Sequence, residues 1–99
     1  MQINQKNEYL HSVSVGGTLA ASSSITIKAP APHAHLILAG VTSGVGVIAY
    51  TSDNTLSSSL LATGWGVLPS GTIFDIVCDY VYIFNSNTGS ENYVLFFEW

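Results

Sequence analysis

Two histidines one residue apart, His33-Ala34-His35, are the groups in this 99-residue chain whose spacing first invites chemistry. On an extended strand, residues i and i+2 face the same way, so both imidazoles would reach one metal ion. Two ligands do not close a site, but three chains about a threefold axis would supply six nitrogens. No Cys or carboxylate lies beside the pair in sequence, so the plainer reading is two partly exposed histidines after a proline-rich turn. His11 reads as structural. Asp75 and Asp79 share a face if their segment is one unbroken strand. Their Cα atoms would then stand roughly 13 Å apart, too far to share a proton. Glu91 and Glu98 have no partner visible in sequence.

Other chemistry is thinner. The chain has no Gly-x-Ser-x-Gly, no phosphate-binding glycine loop and no Cys–His spacing tied to catalysis. Ser22-Ser23-Ser24 reads as the polar start of a strand. So few ionisable groups leave no acid–base pair, and the expectation is a protein that is not an enzyme and needs no cofactor. Trp65, Tyr50 and Trp99 offer aromatic faces on which a sugar would stack. Trp65 sits between Gly64 and Gly66, which leave its ring room. The competing reading is that these rings fill a core or an interface, as large rings usually do.

The elements that position such groups must be built from an unusual composition. Apolar residues make up 47% of the chain, an ordinary share, but charged residues make up only 8%, against about 25% in typical domains. Two cations face six anions, for a net charge of −4. Lys6 and Lys28 cannot neutralise a useful number of phosphates, which disfavours nucleic acid and anionic membrane surfaces as partners. Cys78 is alone, so no intrachain disulfide forms; it lies in an apolar run and reads as a buried small hydrophobe. Residues 1 to 8 have neither a basic start nor an apolar run. The expectation is no signal peptide and synthesis in a cytoplasm. Ala29 to Ser52 carries no formal charge, but prolines, glycines and β-branched residues interrupt it. It reads as two short strands around Thr42-Ser43-Gly44 rather than a membrane helix.

No long segment keeps a 3.6-residue apolar period; strand-length runs bounded by Gly, Pro, Asn and Ser recur instead. Tyr9, His11, Val13 and Val15 share one face of a first strand, and Gly16-Gly17 predicts a tight reversal. Ser24 to Lys28 alternates cleanly and is stopped by Ala29-Pro30-Ala31-Pro32. Strands follow over 33 to 41, 45 to 50, 60 to 67, 72 to 78, 80 to 85 and 92 to 99. A bend near Asp79 and turns at Leu68-Pro69-Ser70-Gly71 and Asn85 to Ser90 separate the later ones. The result is an all-β chain. It is one antiparallel β-sandwich domain of about eight strands, jelly-roll-like, with residues 1–7 as an N-terminal arm.

The strand faces carry a second message. A sheet with one wet face alternates apolar with polar residues. The last strand does not: Tyr93, Leu95, Phe97 and Trp99 oppose Val94 and Phe96. Tyr80, Tyr82 and Phe84 likewise oppose Val81 and Ile83. Strands apolar on both sides want cover on both, which predicts a homo-oligomer. Val81, Ile83, Val94, Phe96 and Trp99 are the expected contact residues.

The run Val13 to Ala21, then Ser24-Ile25-Thr26-Ile27, and the closing pair Tyr80–Phe84 with Tyr93–Trp99 resemble the small jelly-roll domains of phage virions found in decoration, spike and fibre-tip proteins. The resemblance covers most of the chain by order of elements rather than by a diagnostic motif. It implies a virion structural protein, made in the host cytoplasm. Such a protein assembles as a trimer or higher symmetric oligomer, docks on other virion proteins and carries no cofactor. Some phage spikes hold iron through His-x-His on a threefold axis, and His33-Ala34-His35 matches that short pattern. The alternative is a carbohydrate- or receptor-binding module using Trp65 and Tyr50, with a glycan as partner.

Overall fold

Alternating β-branched and polar residues, punctuated by Gly, Pro and Asn, give seven strands in the computed structural model, which describes residues 9–51 and 71–99. They are β1 (Ser12–Leu19), β2 (Ser24–Lys28), β3 (Ala34–Val41), β4 (Val45–Tyr50), β5 (Thr72–Cys78), β6 (Tyr80–Asn85) and β7 (Glu91–Glu98). The expected strand over 60 to 67, Trp65 within it and the arm over 1–7 lie outside the described residues. Among the described residues no helix is long and apolar enough to cross a membrane.

Two antiparallel sheets form, one of order β1-β7-β3-β5 and one of order β2-β6-β4. Each strand in chain order lies in the opposite sheet from the one before it. Neighbours within a sheet are therefore distant in sequence, as in a double Greek key, and the sandwich is jelly-roll-like. Inward residues from both sheets make one core. Leu36, Ala39, Leu95 and Phe97 come from the first sheet, and Val45, Val47, Val81 and Ile83 from the second, all fully buried.

Two local departures matter for the surfaces. The chain does not reverse at Gly16-Gly17: β1 runs straight through both, paired with Val94 and Tyr93. Glycine is there because Tyr93 packs against it; a Cβ on Gly17 would lie 2.8 Å from the Tyr93 hydroxyl oxygen. The turn falls later, where Ser23 bonds back to the Ala20 carbonyl and Ser22 takes a φ of 58°. The second departure is a bulge in β3. Its register with both neighbours shifts between Leu36 and Leu38, so Leu36 and Ala39 both face the core.

The core also corrects the expected contact set. Val81 and Ile83 are wholly buried between the sheets and belong to the core. In β6 it is Tyr80, Tyr82 and Phe84 that turn outward, because Ile83 and Val81 register with Ile25 and Ile27 over the other sheet. Trp99 is also core-side: it packs partly buried against the cluster and stacks on His11, ring centroids 5.3 Å apart.

Candidate interaction surface

The outer face of the four-stranded sheet follows from its registers. One row across the strands reads Ser14, Phe96, Leu38 and Ile73; the next reads Gly16, Val94 and Gly40. These are the outward partners of Leu36, Leu95 and Phe97 in the core, so period-two alternation forces them to the surface. Ile73 is 74% exposed and Val94 49% exposed, and Phe96 and Leu38 are half-buried. Side chains are missing on both sides of Val94, where Gly16 and Gly40 stand, so nothing lateral covers it. The face is apolar, uncharged across these two rows and shallow.

At one end of that face a polar cluster closes the patch. His35 registers with Glu98 and Val77, and its Nδ1 lies 2.9 Å from Asp75 Oδ1. Tyr9 tilts over the same imidazole at 4.9 Å. Partial burial, with the Asp75 and Glu98 carboxylates nearby, pushes the Tyr9 phenol above its ordinary value. His33 goes elsewhere: Asp79 Oδ1 accepts its backbone N–H at 2.8 Å and lies 3.1 Å from its Nδ1. An ionised carboxylate accepts only, so each imidazole donates from Nδ1.

The expected i, i+2 alignment of His33 and His35 on a strand does not occur. His33 stands ahead of β3 with a φ of 53°, and the two rings engage different carboxylates. Among the described residues no three His, Cys, Asp or Glu side chains converge as metal ligands. Sequence spacing missed both His–Asp pairs, since Asp75 and Asp79 lie at least 40 residues away from their partners. Asp75 itself takes a φ of 53° where β5 is displaced against the β3 bulge, which turns its carboxylate toward His35. Beside these pairs Cys78 is buried; burial and the adjacent Asp79 push its thiol up to about 12.

The opposite end holds a second polar network, also absent from the sequence reading. Asn85 is buried, and its amide donates to the carbonyls of Leu19, Ala20 and Gly89 while its oxygen accepts the Asn87 N–H at 2.9 Å. Glu91, which had no partner in sequence, accepts from Thr42 at 3.1 Å and from Asn87 at 3.0 Å. These bonds tie the loops together. They present no group outward in an arrangement that chemistry would use.

The outer face of the three-stranded sheet is different. Tyr50 and Tyr80 register across β4 and β6 and stack at 5.5 Å; Tyr82 and Phe84 stack at 6.1 Å along β6. All four rings are half-buried. Next to Tyr80 a cleft of about 350 Å³ is lined by Lys28, Ala29, Pro30, Ala31, Pro32 and Asp79. Comparison of the chain with family models, with curated proteins and with solved structures finds no match in any of the three.

Proposed function

We propose that this chain is a structural subunit that works by self-association, and that the assembly it builds or coats is a bacteriophage virion. The observation that carries the self-association is the outward apolar stripe of Ile73, Leu38, Phe96 and Val94 on the four-stranded sheet, with Ile73 and Val94 exposed. Covering such a surface contributes on the order of 25 cal/mol per Å², and the scarcity of charge leaves little else to keep it wet. The sandwich fold and the resemblance in order of elements support the virion setting. Val94 and Phe96 are then the contact residues of β7, joined by Ile73 and Leu38. The mechanism is passive burial, with no catalytic group and no cofactor. A trimer is the symmetry that the resemblance suggests.

Light scattering of the purified chain tests this. The expected mass is a multiple of 10.5 kDa, and Ile73→Asp or Val94→Asp, both at exposed positions, should lower that mass with the fold intact by circular dichroism. A wild-type mass of one chain at high concentration sinks the reading.

A second reading has its own observation. The stacked Tyr50–Tyr80 pair beside the Lys28–Asp79 cleft suits a sugar ring, which stacks on aromatic faces and bonds to polar groups at its rim. A glycan array separates the two: the structural reading expects no binding, and the lectin reading expects binding that Tyr80→Ala removes.

A further inference from the structure

We infer that β1 is a pairing edge, and that it joins antiparallel to β1 of a second copy about a twofold axis. This rests on the self-association reading and specifies a contact distinct from the outer face. Natural sheets blunt their edges with charge, proline, bulges or short strands. Of the four edge strands among the described residues, β4 has every residue buried or half-buried, and two others are blunted. β5 is displaced at Asp75, with a left-handed residue and an exposed carboxylate. β2 is five residues long, carries Lys28 and runs into Ala29-Pro30-Ala31-Pro32. β1 has none of these devices. Its eight residues, Ser-Val-Ser-Val-Gly-Gly-Thr-Leu, hold no charge and no proline, and they keep unbroken register with β7 from Ser12 to Leu19. Among the described residues, no strand pairs with its other side.

The phase of the ladder says which groups that side presents. His11 and Trp99 exchange both backbone bonds, at 2.9 and 3.1 Å. In an antiparallel pair such residues alternate with ones whose N–H and C=O point away. Val13, Val15, Gly17 and Leu19 therefore bond to β7, and Ser12, Ser14, Gly16 and Thr18 aim their N–H and C=O at the open side. Those four residues are all exposed.

A second copy fits this edge in a register fixed by two requirements. Core-side residues must meet core-side residues, and outward-aimed backbone groups must meet each other. A twofold through Val15 satisfies both. Ser14 then pairs with the partner's Gly16 and Ser12 with the partner's Thr18, which gives on the order of eight backbone hydrogen bonds. Val15 meets the partner's Val15 in a non-hydrogen-bonded pair on the core side. The same contact covers apolar surface that one chain leaves open: Val13 and Val15 are only half-buried. The product is a continuous eight-stranded sheet across two sandwiches, and the isologous contact closes on itself.

The test uses the full chain. Val15→Cys should give a covalent dimer on mild oxidation, because Cα atoms about 4.5 Å apart in such a pair suit a disulfide. Val13→Cys, which faces the partner's Gly17, should give none. Cys78 is buried and does not compete. Ser14→Pro removes only an N–H aimed outward, leaves the β7 ladder whole and removes two bonds per dimer. It should weaken the twofold dimer about thirty-fold. If Val15→Cys crosslinks no better than Val13→Cys, the edge pairing is wrong, and a strand of another protein occupying β1 would give this same negative result. The outer-face reading is scored separately, by Ile73→Asp: crosslinking that survives Ile73→Asp upholds the edge whatever becomes of that face.

Discussion

β6 and β7 are each flanked on both sides by other strands, and each has apolar side chains on both faces, yet their outward faces end in different states. In β7 the outward residues are Val94 and Phe96, and Val94 is half exposed between two glycines. In β6 they are Tyr80, Tyr82 and Phe84, all half-buried, with Tyr80 stacked on Tyr50 and Tyr82 on Phe84. Rings wide enough to reach a cross-strand or same-face neighbour cover one another, and a phenol keeps its hydroxyl wet while its ring is shielded. A valine between glycines has nothing to lean on. Apolar residues on both faces therefore ask for a partner on the four-stranded sheet and much less on the three-stranded one.

Truncating inward and outward residues of both strands separates the two states. Ile83→Ala and Phe97→Ala should each cost about 2–5 kcal/mol in chemical denaturation, since both side chains are wholly buried. Val94→Ala should change monomer stability by less than about 0.5 kcal/mol and shift only the assembly equilibrium. Equal losses at Val94 and Ile83 would mean that the two faces of the sandwich are not distinct.

Asn85→Ala ranks next, at about 3 kcal/mol by thermal or chemical unfolding, because three carbonyls and the Asn87 N–H lose their partner at a buried site. Gly17→Ala should cost about 1–3 kcal/mol, as the Tyr93 ring must move away from the new methyl. A loss near zero would show that Tyr93 has a second place to sit. The aromatic effect is smaller than that at Gly17. A double-mutant cycle on Tyr50 and Tyr80 should return a coupling of about 0.5–1.5 kcal/mol, and no coupling would remove the lateral shielding on which the contrast with β7 depends.

The Cys78 thiol gives a pH-dependent check of the same core. Folded, it holds its proton to about 12; unfolded, to the ordinary thiol value of 9.0. The folded state thus binds more protons between those limits, so this group's contribution is intact below pH 9 and is lost as pH rises beyond it. A thiol-labelling assay of the native chain at neutral pH should show labelling only at the rate of unfolding.

Much of the architecture was legible in the sequence. Turn formers and short apolar runs located the strands, but not which face of each is buried: Val81 and Ile83, expected at a contact, lie in the core, and in β6 the aromatic set Tyr80, Tyr82 and Phe84 faces outward. Period-two alternation says that two faces exist; when both are apolar it does not say which one meets the other sheet. Gly16-Gly17 misled for a related reason. Local glycine preference favours a turn, but the Tyr93 ring, over 70 residues away, needed the space. The pairs His33–Asp79 and His35–Asp75 were invisible because strand pairing in a jelly roll joins distant segments.

The chain's composition and punctuation by themselves determined an all-β domain poor in charge, with strands too apolar for a single dry face. Those properties are local: they depend on side-chain size, branching and backbone freedom, which each residue carries with it. The assembled sandwich sets which face of each strand is buried, which histidine meets which carboxylate, and which side of β1 no other described strand pairs with. Those outcomes depend on registers between segments dozens of residues apart, and register is fixed by the packing of the whole sandwich.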